Sequence, residues 1–301
     1  MPARATPDQG YLEQRPVPAL AGIVASVWTQ TVASDAEPYV QRSIPHGGID
    51  LVCALGSAPR IVGPLTGPKV DVLAPGTTLV GVRFRPGSAG SLCRMPASEL
   101  VDLVVPAEDV LGREAAELAG RVLRAERPAT VLQRFVAARV ADAERPDPVV
   151  TETVRRLQAN QYAAVSSLRS TLHLSERQLR RRCHAEVGLS PKVLHRVLRF
   201  QYFLALAQRN FAEGPPATSV SRLANDAGYA EQAHLSRECR RLTGQTPRTL
   251  IGEMTHRCAD HDHAASFEAL TDPRRRYALT QSTMADPCKI RSPRQGWSVR
   301  R

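Results

Sequence analysis

The sequence lacks the features that would place it outside the cell or in a membrane. Its six cysteines are spread singly, without a Cys-x-x-Cys pair, and no apolar run approaches the roughly twenty residues that cross a bilayer. The first ten residues, MPARATPDQG, are polar and do not have the pattern of a signal peptide. We therefore expect reduced thiols, no membrane association and a cytoplasmic protein.

Histidine is scarce in the first half of the chain, where only His46 occurs. A metal-binding cupin needs a compact group of histidines with a carboxylate, so a metal enzyme is not expected there. Near the other end, HRCADHDHAAS contains His256, Cys258, His261 and His263. These are ligand types at short spacing, but nothing further selects a metal. We predict no metal, no other cofactor and no catalytic residue.

The chain has an excess of positive charge, and most of it lies in one part. The net charge is +11 and the pI is near 10.0. From Val149 to Ile251 there are 16 Lys and Arg residues but only 7 Asp and Glu, whereas the preceding region is close to neutral. With 301 residues, the chain is long enough for two domains. A basic domain joined to a neutral one indicates a polyanion partner at one end and a different role at the other.

An internal repeat organises the basic part. In LSERQLRRRCHAEVGLSP, residues 174–191, Ser175 is a favourable N-cap and apolar residues recur every four positions. The spacing predicts a helix with one apolar stripe that ends at Gly188. Fifty-six positions later, HLSRECRRLTGQTP repeats the pattern. The basic part therefore contains two copies of one unit.

Each copy predicts a helix-turn-helix unit, one at residues 165–187 and one at 219–243. In both, a short helix and a tight turn precede a second helix with a polar outer face, which we call the first or second reading helix. Residues 191–209 predict a connecting helix of roughly 28 Å. That length approaches the roughly 34 Å repeat of DNA, so the reading helices can enter successive major grooves.

These residues resemble a known family. Residues 149–251 are similar to the DNA-binding domain of the AraC/XylS family of bacterial transcription regulators. The resemblance rests on the first copy with its connecting helix and on a spaced set in the second copy: Leu223, Ala224, Ala227, Gly228, Tyr229, His234, Leu235, Ser236, Arg237, Gly244, Thr246 and Pro247. It implies a sequence-specific, non-enzymatic transcription regulator. The implied partners are double-stranded DNA, RNA polymerase, a small-molecule effector and a second copy of the chain.

The resemblance also implies the roles of the reading-helix residues. The positions that reach base edges are Glu176, Arg177, Arg180, Arg181, Gln232, Ala233, His234 and Arg237. The positions that hold phosphates and fix the register are Arg182, Ser236, Arg240 and Arg241. Arginine suits both tasks because its guanidinium donates in two directions, to phosphate oxygens or to guanine O6 and N7. Taken alone, a run of arginines could instead form a solvated helix face that binds nothing.

Short β-prone runs between residues 23 and 86, separated by Gly and Pro turns, predict a small antiparallel barrel or sandwich. Helical patterns follow at 96–103, 113–124 and 129–143. The resemblance implies that this part is a regulatory, cupin-like domain, which gives an α+β chain whose second domain is all-α. The predicted segments are a flexible N-terminus at 1–18, the regulatory domain at 19–144, a Pro-containing linker at 145–148, the DNA-binding domain at 149–251 and a disordered, basic tail at 252–301.

Two arginines are the candidate effector contacts of the regulatory domain. GVRFRPG places Arg83 and Arg85 on the same face of a strand, where guanidinium groups suit an anionic effector. A solvated strand face is the alternative interpretation. His46 and Asp50 are the other polar residues of the predicted barrel that suit a binding site.

Cys183 and Cys239 stand at positions where the family that these residues resemble usually carries Phe. The smaller side chains predict looser packing behind the reading helices unless neighbours refill the space. They also suggest an alternative function, a DNA-modifying or redox-responsive cysteine protein that uses the same DNA-binding module. That function needs an exposed, activated thiol, whereas both cysteines lie on apolar stripes. A non-specific architectural DNA binder is a further alternative, distinguished by the lack of a preferred site.

Overall fold

The computed structural model describes residues 9–159, 165–212, 219–257 and 261–262. A β-rich N-terminal half is followed by a helical C-terminal half, which confirms the predicted α+β architecture. The described strands are β1 Gln9–Gln14, β2 Val24–Val32, β3 Tyr39–Ser43, β4 Asp50–Ala54, β5 Arg60–Val62, β6 Lys69–Leu73, β7 Thr78–Phe84, β8 Val104–Pro106 and β9 His261–Asp262.

Seven of the described strands form one sheet in the order β8-β5-β4-β7-β2-β1-β9, and β3 pairs with β6 in a separate two-stranded sheet. All these pairs are antiparallel except β1 with β9. The large sheet is open, since β8 and β9 at its two edges are not paired with each other. The sheet is therefore cupin-like but open, and it does not close into the predicted barrel.

The large sheet separates two environments because successive side chains of a strand point to opposite faces. On β7, Val80, Val82 and Phe84 are buried in a hydrophobic core that is completed by helices of the N-terminal half. The alternate residues Leu79 and Arg83 lie on the other face, where they line a cavity. One face of the sheet thus supplies the core, and the other supplies a candidate site.

β1 corrects the prediction of a flexible N-terminus from residue 9 onward. The strand pairs with β2 along its whole length, from Gln9 opposite Val32 to Gln14 opposite Val27. Its backbone groups are satisfied by this ladder, and Glu13 is only 4% exposed. The sequence did not predict this strand because it lacks an alternating apolar pattern and is held in place by a buried charge. Residues 1–8 lie outside the described chain.

The described helices of the N-terminal half are α1 Ala107–Leu111, α2 Leu118–Leu123 and α3 Pro128–Asp142. α3 matches the helix predicted at 129–143. The predicted helix at 96–103 is wrong, because only a 3₁₀ turn forms at Ala97–Leu100 before the chain becomes extended to enter β8. The pattern at 113–124 is divided between a 3₁₀ turn at Arg113–Ala115 and α2.

The described helices of the C-terminal half are α4 Pro148–Ala159, α5 Val165–Leu172, α6 Glu176–Val187, α7 Pro191–Ala212, α8 Val220–Asp226, α9 Gln232–Thr243 and α10 Pro247–Arg257. α6 and α9 are the predicted reading helices, and α7 is the connecting helix, three residues longer than predicted. α7 lies at the centre of the second core, where Phe200 and Phe203 are fully buried.

The last described segments revise the start of the predicted tail. α10 continues past Ile251 to Arg257, and His261–Asp262 pairs with β1 of the N-terminal half. Residues 258–260 and 263–301 lie outside the described chain. The side chains of the possible metal ligands His256, Cys258, His261 and His263 lie outside the described part of the chain.

The two halves pack directly against each other. Ile44, which follows β3, packs against the helical core. The side-chain amide of Gln201 on α7 donates a hydrogen bond to the carbonyl oxygen of Pro45 at 2.7 Å. The N-terminal half therefore touches the connecting helix that joins the two helix pairs.

Candidate functional site

The first reading helix is fixed at both ends by local sequence. Ser175 Oγ accepts a hydrogen bond from the Gln178 backbone N–H at 3.2 Å, and Gln178 Oε1 accepts one from the Ser175 N–H at 2.9 Å. This reciprocal capping box satisfies backbone donors that the first turn would otherwise leave unpaired. The helix ends at Gly188, whose φ of 78° favours glycine. The sequence predicted both ends correctly.

The second reading helix is held by its partner helix instead of a side-chain cap. Glu231 occupies the N-cap without a capping hydrogen bond. Ser221 Oγ on α8 donates to Gln232 Oε1 at 2.6 Å, which ties the start of α9 to α8. Leu235, Cys239 and Leu242 are buried, so the opposite side of α9 faces outward.

The outward face of α6 carries Glu176, Arg177, Arg180 and Arg181, all exposed. In the part of the chain that the structure describes, Arg177, Arg180 and Arg181 make no ion pair. Arg180 Nε lies 3.5 Å from the Nε2 atom of His184, one turn further on. An uncompensated cluster of guanidinium groups is what an anionic partner such as DNA needs.

The outward face of α9 carries Gln232, Ala233, Arg237, Arg240 and Arg241, again exposed. Among the described residues, none of its three arginines forms an ion pair. The outer surfaces of α6 and α9 therefore have the same chemistry.

His234 differs from the other candidates on α9 because it is half-buried. Its ring meets the Tyr229 ring edge-on, with centroids 5.2 Å apart. Burial lowers the pKa of His234, and the neighbouring Arg199 lowers it further. Arg199 in turn lies over the Tyr229 ring, with its guanidinium carbon 4.5 Å from the centroid. Both effects favour the neutral imidazole, which can donate a hydrogen bond from one ring nitrogen and accept one at the other.

Two candidate phosphate contacts already have protein partners. Arg182 Nη1 donates to Asp147 Oδ2 at 2.6 Å, although 41% of the Arg182 side chain is exposed. Ser236 Oγ donates to the Gln232 carbonyl oxygen at 2.9 Å. Arg182 thus ties the first reading helix to the linker, which the sequence analysis did not predict.

The two cysteines that depart from the family are fully buried, each 0% exposed. Burial raises the pKa of Cys183 to about 12 and also raises the pKa of Cys239. Since the thiolate is the reactive form, neither residue has the exposed, activated thiol that a cysteine enzyme or redox sensor needs.

The N-terminal half contacts the C-terminal ends of both reading helices. At the end of α6, a Cβ on Gly188 would lie only 2.7 Å from the carbonyl oxygen of Ala97, so a side chain is excluded there. At the end of α9, Arg42 Nη1 donates to the carbonyl oxygen of Thr243 at 3.1 Å. The N-terminal half is therefore in direct contact with the ends of both helices.

A cavity of about 570 Å³ lies between the two halves. The open face of the large sheet forms one wall, and the β3–β6 pair forms another. The helical half contributes Gln201 and Leu204 of α7 and Leu250, Glu253 and Met254 of α10.

The sheet side of the cavity contains a charge cluster around Arg83. Arg83 Nη1 lies 3.2 Å from Glu13 Oε1, and Arg83 Nε lies 3.4 Å from Asp50 Oδ1. His46 Nε2 lies 3.3 Å from the same Asp50 oxygen. Burial alone would raise the pKa of Asp50, but Arg83 and His46 outweigh it and lower this pKa to about 2. Arg83 is therefore already neutralised by two carboxylates.

Arg85, predicted as the companion of Arg83, does not line the cavity. It follows the end of β7, and its Nε atom donates to the Ala21 carbonyl oxygen at 2.9 Å. His46 and Asp50, which the sequence analysis noted, do belong to the cluster. The Tyr11 hydroxyl donates to Glu13 Oε1 at 2.7 Å. Tyr11 and Glu13 were missed because they lie in a segment predicted to be flexible.

Within the described residues, no helix is long and apolar enough to span a membrane. The same residues contain no group of three or more His, Cys, Asp or Glu side chains that could hold a metal ion.

Comparison with protein-family models matches residues 168–252 to a helix-turn-helix domain. Residues 168–252 form an AraC-type helix-turn-helix domain. This domain marks the chain as a DNA-binding transcription regulator. Residues 12–106 match a domain of unknown function, DUF6597. A search of curated proteins found no match.

Among solved structures, several crystal structures of ToxT from Vibrio cholerae are similar to this chain. ToxT of strain O395 is 12% identical, with a TM-score of 0.43 over 76% of this chain and 96% of ToxT. An apo variant from strain SCE256 is 8% identical, with a TM-score of 0.43 over 73% and 98% of the two chains. ToxT of strain SCE256 bound to an unsaturated fatty acid is 10% identical, with a TM-score of 0.40 over 81% and 93%.

Proposed function

We propose that the chain is a sequence-specific transcription regulator in which α6 and α9 bind adjacent segments of the major groove. The observation that carries this proposal is the pair of matching outer faces on the two helices. Among the described residues, the exposed arginines of both faces lack an acidic partner, so their own contacts with DNA break no internal ion pair. This lowers the cost of contact with phosphates and bases.

The length of α7 supports simultaneous binding. Its 22 residues span about 33 Å at 1.5 Å per residue, close to the roughly 34 Å that separates successive major grooves on one side of DNA. A connector of this length suits two reading helices on the same face of a duplex.

The proposed roles divide by residue. The base-edge contacts are Glu176, Arg177, Arg180, Arg181, Gln232, Ala233, His234 and Arg237, and the phosphate contacts are Arg182, Ser236, Arg240 and Arg241. Because Arg182 is paired with Asp147, it contributes less than Arg240 and Arg241 to the phosphate contacts. Neutral His234 suits a base edge better than a phosphate, because it carries no charge to attract an anion.

The N-terminal half is proposed to modulate DNA binding through its contacts with the ends of α6 and α9, with a small molecule in the cavity as the effector. A second copy of the chain and RNA polymerase are the other proposed partners, in the cytoplasm. The protein acts by binding and not by catalysis.

The experiment that tests this function is a gel shift with fragments of the native genome and an excess of unrelated competitor DNA, at rising salt. Phosphate contacts weaken with salt for every sequence, whereas base contacts keep a preference for one site. A regulator retains a preferred fragment as salt increases. Loss of all fragments in parallel would instead identify a non-specific architectural binder.

A further inference from the structure

One candidate base contact of the second reading helix is held by side chains that lie outside that helix. His234 is the third residue of α9, and the Tyr229 ring meets its imidazole edge-on from the turn before the helix. Arg199 comes from α7 and lies over the other ring of this pair, with its guanidinium carbon 4.5 Å from the Tyr229 centroid. The connecting helix therefore contributes to the surroundings of a residue that faces DNA in the proposed complex.

The contact between Arg199 and His234 selects one tautomer of the imidazole. Arg199 Nη2 lies 3.5 Å from His234 Nε2, at the long end of the hydrogen-bond range. A guanidinium has five N–H donors and no acceptor, so the contact is favourable only when Nε2 keeps its lone pair. A proton on Nε2 would instead point an N–H dipole at a positive charge. The single proton of the neutral ring is therefore favoured on Nδ1.

The charges around His234 favour the neutral ring. Burial lowers the pKa of His234, and Arg199 lowers it further. Glu238 raises this pKa, whereas Arg237 and Arg196 lower it. The Glu238 carboxylate is already paired, since its Oε2 atom lies 2.8 Å from Arg196 Nε. In addition, His234 lies in the first turn of α9, where the helix dipole disfavours a cation.

The Nδ1 atom of His234 is accessible to a ligand. Among the described residues it forms no hydrogen bond, and it is not one of the buried polar atoms that lack a partner. Its neighbours Ala233 and Arg237 on α9 are exposed. The matching residue of the first reading helix is Gln178, whose Oε1 accepts from the Ser175 N–H in the capping box. The accessible imidazole therefore distinguishes α9 from α6.

We infer that Arg199 is a positioning residue, which holds His234 in the tautomer with the proton on Nδ1 so that His234 donates a hydrogen bond to a base edge. This inference rests on the proposed function of α9. In the major groove, guanine, adenine and thymine offer acceptors, whereas cytosine offers only the donor of its N4 amine. His234 therefore discriminates against cytosine at the base that it contacts. With the proton on Nε2 and the lone pair on Nδ1, the ring would instead accept from that amine.

The tautomer is measured without DNA, by long-range proton–nitrogen correlation spectra of the full chain with isotope-labelled histidine. His234→Phe keeps an aromatic ring against Tyr229 and assigns the His234 signals by their loss. The wild type is expected to show a protonated Nδ1 and an unprotonated Nε2. A proton on Nε2 in the wild type would overturn the proposal.

Arg199→Met tests whether the guanidinium is the cause, because it keeps an unbranched side chain and removes the donors. The proton of His234 is expected to move toward Nε2, and the pKa of His234 is expected to rise because a nearby positive charge is lost. Arg209→Met, at an exposed arginine of the same helix, is the matched control and should change neither. A tautomer that is unchanged in a folded Arg199→Met chain would overturn the positioning role. If Arg199→Met does not fold, as judged by circular dichroism, the wild-type tautomer decides.

The base preference is measured by fluorescence anisotropy on the preferred DNA fragment, with each of the four bases at every position of the element that α9 contacts. At one position the wild type is expected to bind cytosine about fivefold or more weakly than the other bases. His234→Phe and Arg199→Met are expected to lose this discrimination, and Arg209→Met is expected to keep it. Discrimination that survives in His234→Phe would overturn the base contact, and discrimination that survives in Arg199→Met would overturn the positioning role.

The two readouts separate this inference from the proposed function. A preferred DNA site without discrimination against cytosine would overturn the inference and leave the regulator function supported. The expected tautomer in a chain that prefers no DNA site would overturn the regulator function, and with it the base contact, while the assignment of Arg199 to the His234 tautomer would stand.

Discussion

Arg42 of β3 donates a hydrogen bond from Nη1 to the carbonyl oxygen of Thr243, the last residue of α9, at 3.1 Å. Carbonyl groups at the end of a helix lack intrahelical donors, and the helix dipole favours a cation there. The N-terminal half therefore caps the second reading helix from a position 201 residues earlier in the chain.

Replacing Arg42 with Met keeps an unbranched side chain but removes the cap. We expect Arg42→Met to lower the free energy of unfolding by about 1 kcal/mol, measured by urea denaturation. Arg113→Met, at an exposed arginine of the N-terminal half, is the matched control and should have little effect. An equal loss in both variants would mean that the cap contributes nothing specific.

Arginines of the reading helices are predicted to separate into two kinds by their effect on DNA binding. Arg180→Ala should cost about 1–3 kcal/mol on the preferred site and relax the preference at one base position. Arg240→Ala should weaken binding to all sequences and reduce the slope of log affinity against log salt by about one unit. Anisotropy titrations on single-base site variants at several salt concentrations measure both. If Arg180→Ala weakened binding equally to all sequences, Arg180 would contact the DNA backbone and not a base.

Burial of Cys183 predicts that DNA binding is insensitive to oxidation at this residue. With a pKa of about 12, only about one thiol in ten thousand is ionised near pH 8. Iodoacetamide should leave Cys183 and Cys239 unmodified in the folded chain, as read by peptide mass spectrometry. If peroxide abolished DNA binding in the wild type but not in Cys183→Ala, the redox-responsive alternative would be restored.

Asp50 predicts how stability depends on pH. Its pKa in the folded chain, about 2, is below the ordinary value of 3.8 because Arg83 and His46 outweigh burial. A carboxyl whose pKa is lower in the folded chain stabilises the fold at pH values above its pKa in the unfolded chain. This contribution is lost as the pH falls toward the pKa in the folded chain. Asp50→Asn should therefore be about 2 kcal/mol less stable than the wild type near pH 6. In urea denaturation, the difference in stability between the two proteins should disappear as the pH falls from about 4 to about 2. A gap that does not change with pH would show that the Asp50 charge is not its source.

The reading helices could be predicted because their signals are local. Ser175 and Gln178 are three residues apart, Gly188 and Gly244 directly follow the helices that they end, and the repeat marks both copies. A helix pattern of this kind needs no knowledge of the rest of the fold.

The cavity could not be predicted, because its contacts join distant parts of the chain. Glu13 meets Arg83 across 70 positions, and Gln201 meets Pro45 across 156. Neither residue of such a pair has a local pattern that identifies the other. In addition, β1 owes its place to a buried ion pair, so it lacks the alternation of apolar residues that usually reveals a strand.

The most direct test of the central claim is in-vitro selection of bound DNA from a random pool with the purified full-length chain at moderate salt. If α6 and α9 read DNA together, the selected sequences contain two short elements about one helical turn, roughly 10 base pairs, apart. Arg180→Ala should lose preference within one element, and Arg237→Ala within the other. A pool that stays random, or a motif that neither variant alters, would contradict the account.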